Sequence, residues 1–470
     1  MVRRQVDPDV LRQAEGTPSL EERGYESLPV PDGMTQQAFL EQLRADPEIA
    51  SAEPDARVYA AQTPNDPYYI NQPGQQQVGY LSSVGAPGAW DHAVGREDVV
   101  VAVLDSGMDL SHPDLESQLW TNEDEVAGNG TDDDGNGCID DVNGCRFLKV
   151  DAGSQAACGY LPGDGTPTGD VWDDNGSPDT GNHSHGTMVS GIVGAAGNNN
   201  EGIAGVGWNV RLMPVKVLGC GGPTGRDPSG HLSDVAKGID YARRMGADVI
   251  NLSLATRPDS NDNSALRDAI AAAEDEGVII VAAAGNNGSS SDPSPGYPGR
   301  YTQYSNLVTV GASDWQSNHE WESFSAYGPS LDLAAPGSQL LTTIRSDIAP
   351  EVPYGIAQKG TSFATPFVSG MFALMISRNS AMDVSDYIDL AREAAEPGAG
   401  CAPRRQLGRC WHHQCFRRRA VHSHAGHRPR PGGLGRPARR DIGGCTHRGH
   451  ELRERPIHLR RPGLAFRALD

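Results

Sequence analysis

A serine stands between a glycine turn and an apolar run in Gly360-Thr361-Ser362-Phe363-Ala364-Thr365-Pro366. A serine hydroxyl is a weak nucleophile until a base takes its proton, an acid orients that base and a donor receives the oxyanion that forms. The chain offers a candidate for each task. Asp105 ends the apolar run in Leu104-Asp105-Ser106-Gly107, His185 lies in His183-Ser184-His185-Gly186-Thr187, and Asn286 lies in Ala284-Gly285-Asn286-Asn287-Gly288. Taken singly, each has a plainer explanation: a turn or helix-cap aspartate, a surface histidine pair, an ordinary Asn-Asn-Gly turn. Taken together, a carboxylate, an imidazole, an amide and a hydroxyl are the parts that acyl transfer needs.

Groups this far apart in sequence need a frame to bring them together. Val99-Val100-Val101-Ala102-Val103-Leu104 is apolar throughout, as expected of a strand covered on both faces. Further strands are predicted over 210–218, 248–254, 277–284 and 307–310, and helices over 187–196, 232–244, 264–276 and 362–378. The alternation predicts an α/β fold with a doubly wound, largely parallel sheet flanked by helices. Ligands in such sheets gather at the carboxyl ends of the strands, where Asp105 and Asn286 fall. Residues 1–62 read as a small α+β unit: a strand over 25–30, a helix capped by Thr35 and running to about Arg44, and a returning strand over 49–59. A polar linker, 62–67, follows.

The net charge of −22 hides two unlike parts. Residues 398–470 carry 17 arginines, no lysine and four acids, whereas residues 1–397 carry 22 basic and 57 acidic residues. The acidic body excludes nucleic acid as an expected partner. It suits a secreted protein, a calcium binder or one working in high salt. No run is apolar and long enough to span a membrane, and Met1-Val2-Arg3-Arg4 leads into polar sequence without the apolar core of a secretory signal. The basic tail, 398–470, has no periodicity. It reads as non-native or disordered sequence rather than as a nucleic-acid arm. Cys138, Cys145, Cys158 and Cys220 lie in the acidic body; Cys138 with Cys145, or Cys158 with Cys220, are both open as disulfides.

Asp132-Asp133-Asp134-Gly135-Asn136-Gly137-Cys138-Ile139-Asp140-Asp141 places oxygen ligands at alternate positions around a glycine turn, which suits calcium. Asp132, Asp134, Asn136 and Asp141 are the expected side-chain ligands. The loop lacks the closing glutamate of an EF-hand, and a solvated acidic loop is the plainer alternative.

The order Asp105, His185, Asn286, Ser362 resembles that of the subtilisin-like serine proteases, over roughly residues 86–378. The likeness extends to His112-Pro113-Asp114-Leu115, Gly296-Tyr297-Pro298-Gly299, Ser325-Ala326-Tyr327-Gly328 and Leu333-Ala334-Ala335-Pro336-Gly337. Ser362 does not sit in the Gly-x-Ser-x-Gly elbow of lipase-type hydrolases. The resemblance implies a secreted serine endopeptidase that acts as a monomer on proteins or peptides, with His185 as base, Asp105 orienting it, and Asn286 with the Ser362 N–H receiving the oxyanion. It implies a substrate pocket walled by Ser253, Leu254 and Ala255 on one side and Ala284 and Gly285 on the other, with Gly296 at its base. Apolar or aromatic residues are expected before the cut. It further implies structural calcium, with a second site at Asp114 and the loop 199–203. Residues 1–62 would be an inhibitory propeptide lacking its first strand, cut between Tyr59 and Asp66. Residues 63–397 would be the peptidase domain. A catalytically silent member acting as a binding module is the alternative.

Overall fold

The computed structural model describes residues 2–4, 20, 23–31, 33–54, 63–70, 76–148, 165–174, 184–219, 228–317 and 319–395. The chain divides into two compact units, Met1–Ala61 and Gln62–Asp470. In the smaller, strands β1 (Val2–Arg4) and β2 (Tyr25–Glu26) precede helix α1 (Gln36–Ala45) and strand β3 (Ile49–Ala52). The α1 start is local chemistry: Thr35 Oγ1 accepts the Ala38 N–H. Leu40 on this helix joins Val2, Ile49 and Ala52 in a small core. Here the structure departs from expectation. One strand not picked out in the sequence is present: β1 lies between β2 and β3 and is antiparallel to both, with Val2 opposite Glu26 and Ala52. The pairing partners are remote in sequence, and no local pattern announces them. The strand at 25 is also shorter than expected.

The larger unit runs α2 (Pro67–Ile70), α3 (Gln76–Ser83), α4 (Ala86–Trp90), β4 (Val100–Asp105), β5 (Cys145–Arg146), α5 (His185–Gly194), β6 (Arg211–Lys216), α6 (Leu232–Arg244), β7 (Val249–Leu252), α7 (Ser264–Asp275), β8 (Ile279–Ala283), β9 (Leu307–Asp314), β10 (Glu320–Trp321), β11 (Leu333–Pro336), β12 (Ser338–Thr343), β13 (Tyr354–Lys359), α8 (Thr361–Arg378) and α9 (Val384–Ala394). The main sheet has the order β10-β9-β8-β7-β4-β6-β5, with β11 also pairing β9. Every pairing in it is parallel except that of β10 with β9.

The sheet is covered on both faces, which accounts for the unbroken apolar run of β4. Val101 and Val103 pack in a core with Val189, Ile192 and Val193 of α5 and Phe367 and Phe372 of α8. Ala102 and Leu104 point the other way, into a core with Ile239 and Ala242 of α6 and Leu266 and Ile270 of α7. Helix α8 is apolar on every side and buried along nearly its whole length.

From β4 the chain passes through α5 to β6 on one side, then through α6 to β7 on the other. The winding reverses at β4, so the crevice such sheets use for ligands opens at its carboxyl end, which is Asp105. Of the cysteine pairs left open by the sequence, Cys138 and Cys145 form a disulfide. Cys158, Cys220 and the basic tail lie outside the described residues. Among the described residues no helix is long and apolar enough to cross a membrane.

Candidate active site

Asp105 is the last residue of a strand whose every side chain is buried, and its own is fully buried. One carboxylate oxygen, Oδ1, accepts the Ser106 N–H at 2.7 Å and meets His185 Nδ1 at 2.7 Å. The other has no partner among the described residues. A buried carboxylate with so few donors has its charge directed at the imidazole. His185 opens α5, and 14% of its side chain remains exposed.

The ring of His185 lies against that of Phe363, with centroids 5.4 Å apart. Phe363 follows Ser362 in the first turn of α8, so His185 and the start of α8 are brought together from helices far apart in sequence. A Cβ on Gly360 would stand 2.9 Å from Ser362 Oγ, so the glycine before the serine leaves room for that hydroxyl. The serine backbone is anchored from β7: Ser253 Oγ donates to the Ser362 carbonyl at 2.7 Å and accepts from Asn251 Nδ2, while Ser369 Oγ on α8 donates to Asn251 Oδ1. Asn251 and Ser369 are fully buried. Sequence reading passed them over because a lone polar residue in an apolar strand or helix carries no pattern.

Asn286 Oδ1 accepts both the N–H and the hydroxyl of Thr361, at 2.9 and 3.1 Å. With its oxygen so engaged, the amide has its nitrogen left to donate. The Ser362 N–H, one of the first N–H groups of α8, likewise has no acceptor among the described residues. Two free donors tied together through Thr361, at the positive end of a helix, suit a developing anion.

The six residues expected to line a pocket lie on adjoining segments. Ser253-Leu254-Ala255 and Ala284-Gly285 leave the sheet from the neighbouring strands β7 and β8. Gly285 lies at φ +110°, and a Cβ there would stand 3.6 Å from Ala255 Cβ. Gly296 N donates to the Ala284 carbonyl, and a Cβ on it would meet the Thr256 carbonyl oxygen at 2.1 Å. Only glycine fits between the two segments.

The acidic loop departs from expectation in its members. The carboxylates that converge are Glu125, Asp134 and Asp141, with oxygens within 4.8 Å of one another. Asp132 is spent on the turn, accepting the Asn136 and Gly137 N–H groups, and Asn136 Oδ1 accepts the Cys138 N–H. Glu125 is buried and accepts the N–H groups of Asp133 and Asp141. At the second location, Asp114 accepts Asn199 Nδ2 and the Ile203 N–H, and Asp66, also fully buried, accepts the Asn198 and Asn199 N–H groups. Burial raises both Asp66 and Asp114 above the ordinary carboxylate value, against the hydrogen bonds they accept.

A model of the subtilase family matches residues 96–410, a span that ends inside the basic stretch. Thermitase of Thermoactinomyces vulgaris is 33% identical over 317 residues, covering 67% of this chain and 86% of that protein. Halolysin of Haloferax mediterranei is 32% identical over 417 residues, covering 85% of this chain and 65% of the halolysin, just under two thirds of its length. Similar proteins of Natrialba magadii and Xanthomonas campestris bear the word extracellular in their names. Among solved structures, a protease of Pseudoalteromonas arctica matches with a TM-score of 0.54 and 28% identity, covering 71% of this chain and 93% of its own.

Proposed function

The chain belongs to the subtilase family of serine proteases, and on that premise we propose that it is a secreted endopeptidase working through Ser362, His185 and Asp105. Ser362 Oγ attacks the peptide carbonyl as His185 takes its proton. Asp105 holds the imidazole with Nδ1 turned towards it and stabilises the imidazolium that forms. The oxyanion is received by Asn286 Nδ2 and the Ser362 N–H. His185 returns the proton to the leaving amine, and water then repeats the sequence on the acyl-enzyme. Ser253, Leu254, Ala255, Ala284, Gly285 and Gly296 take the side chain before the cut. The small, uncharged lining supports a preference for apolar or aromatic residues.

The observation that carries this reading is the 2.7 Å contact between His185 Nδ1 and a fully buried carboxylate at the end of the central strand. A fluorophosphonate, which needs an activated serine, is expected to label the wild-type protein and leave Ser362→Ala unlabelled. A wild-type protein that resists the probe favours the silent binding module, and peptidase activity retained by Ser362→Ala overturns the assignment.

Calcium fits the acidic loop, because three converging carboxylates form a hard oxygen set whose mutual repulsion a divalent cation relieves. Glu125, Asp134 and Asp141 would hold it, with Asp66 and Asp114 serving a second ion. Such an ion would cross-link the two ends of the acidic loop and would take no part in acyl transfer. Residues 1–62 are the propeptide in this reading. Their separation as a compact unit supports it, as does the engagement of Asn65 and Asp66 with the loop 198–200, which makes those two residues part of the peptidase body. The physiological partners are protein or peptide substrates. No step in the reading calls for nucleic acid, a membrane or a second copy of the chain.

A further inference from the structure

We infer that Asp173 is a positioning residue for the His185–Asp105 pair, acting through Ser106 and Thr187 and held in place by Lys216. The inference rests on the reading of His185 as the base. It begins with a helix that lacks a cap of its own. Ser184, at the N-cap of α5, is left-handed at φ 73° and gives the helix no side-chain bond, because its Oγ accepts the Arg345 N–H instead. The first N–H groups of α5 must therefore find acceptors elsewhere. Gly186 N donates to Ser106 Oγ at 2.9 Å, and Thr187 N donates to Asp173 Oδ2 at 3.0 Å.

Asp173 thus caps, from a distant segment, the helix whose first residue is His185. Its Oδ2 also accepts the Thr187 hydroxyl at 2.8 Å, and its Oδ1 accepts the Ser106 hydroxyl at 2.9 Å. Ser106 is the residue whose N–H binds Asp105 Oδ1. One carboxylate therefore ties the backbone after the base to the backbone after its orienting acid. Lys216, 1% exposed, completes the frame by donating to the Ser106 carbonyl, to the carbonyl of Trp172 just before Asp173, and to Asp174.

Such a network is not the cheapest way to fill this space. Asp173 is fully buried; burial raises its carboxyl above the ordinary value, against the pull of Lys216 and of the hydrogen bonds from Thr187 and Ser106. Buried charges seldom add stability over well-packed apolar groups, and what they supply is a fixed geometry. The geometry fixed here is the one the imidazole needs, because a small shift of α5 turns Nε2 away from the serine while leaving the substrate pocket, built on β7 and β8, untouched.

The test is steady-state kinetics on a chromogenic peptide for Asp173→Asn, Thr187→Val and Thr187→Ser, each well below its own melting temperature, with fluorophosphonate titration of the parent. Asp173→Asn and Thr187→Val are expected to lower kcat by about tenfold to a hundredfold, with KM within about twofold of the parent, because only a transition-state interaction is lost. Thr187→Ser, which keeps the hydroxyl, is expected to retain the parent kcat. If Asp173→Asn does not fold, the Thr187 pair decides. Parental kcat in Thr187→Val, or a rise in KM without a fall in kcat, overturns the inference. A parent that does not react with the probe overturns instead the reading of Ser362 on which the inference rests.

Discussion

The acids at the end of β4 and the acids of the loop 122–141 are the same functional group under two regimes. Around β4, Asp105 and Asp173 are fully buried, bonded to donors fixed by other elements, with the Lys216 ammonium enclosed beside them. In the loop, Asp132, Asp133 and Asp140 accept mostly from N–H and amide groups of the loop itself. Glu125, Asp134 and Asp141 converge within 4.8 Å, and none of the three has an ion pair among the described residues. The first grouping has a cation of its own in the Lys216 ammonium. The second holds its carboxylates in place by hydrogen bonds and still lacks a counter-charge. A buried network of the first kind fixes geometry for chemistry, and a cluster of the second kind makes folding dependent on an ion.

The strongest way to break the comparison is Asp105→Asn. If the buried carboxylate orients and charges the imidazole, kcat on a peptide substrate falls about ten-thousandfold while circular dichroism stays that of the parent. A loss below tenfold would mean that the carboxylate is structural, like those of the loop. Next in size is Asn286→Ala. Its amide oxygen is held by Thr361, and in the proposed mechanism its nitrogen donates to charge that exists only in the transition state. The expected loss is about a hundredfold to a thousandfold in kcat with KM little changed; a rise in KM instead would make Asn286 a substrate-binding residue.

Much of the first grouping was legible in the sequence, and less of the second. The strand before Asp105 shows as an apolar run because both of its faces are covered, and α6 begins and ends where its pattern does. Helix α5 was expected over 187–196 and starts two residues earlier, at His185; Ser184 stands at its N-cap without giving a side-chain bond, and its first N–H groups are met by Ser106 and Asp173. Strand β9 was expected to stop at Val310 and runs to Asp314, because β10 and β11 both pair with its later residues. In the loop, alternate spacing picked out Asp134 and Asp141 but also Asp132, which faces its own turn, and passed over Glu125, which the chain brings back from before the turn. Spacing reports which residues are near in sequence, and a cluster closed by a returning segment escapes it. Asp66 joins Asp114 for the same reason.

Calcium removal sharpens the contrast from the side of the loop. An ion held at about a hundred times its dissociation constant adds about 2.7 kcal/mol to folding, so chelation should lower the melting temperature by several degrees. Glu125→Gln should shrink that difference, and Asp132→Asn should shrink it less, since Asp132 serves the turn. An unchanged melting temperature on chelation would mean that the loop acids are solvated and need no counter-charge.

The smallest expected effect belongs to Asp109, a buried acid near the active edge that is bonded by hydroxyl and N–H groups rather than by a cation. Burial pushes its carboxyl up, but the bonds from Ser346 and Ser111 outweigh it and hold the group below its ordinary value of 3.8. A carboxylate depressed in the folded state adds stability that is present above the unfolded value and is lost as pH falls through the folded one. Asp109→Asn should therefore melt below the parent at pH 7, and the gap should close only under acid, below 3.8. A parent that instead gained on the variant as pH fell from 7 would place Asp109 with Asp66 and Asp114, whose burial raises them, and would move the border between the two regimes to the near side of Ser346.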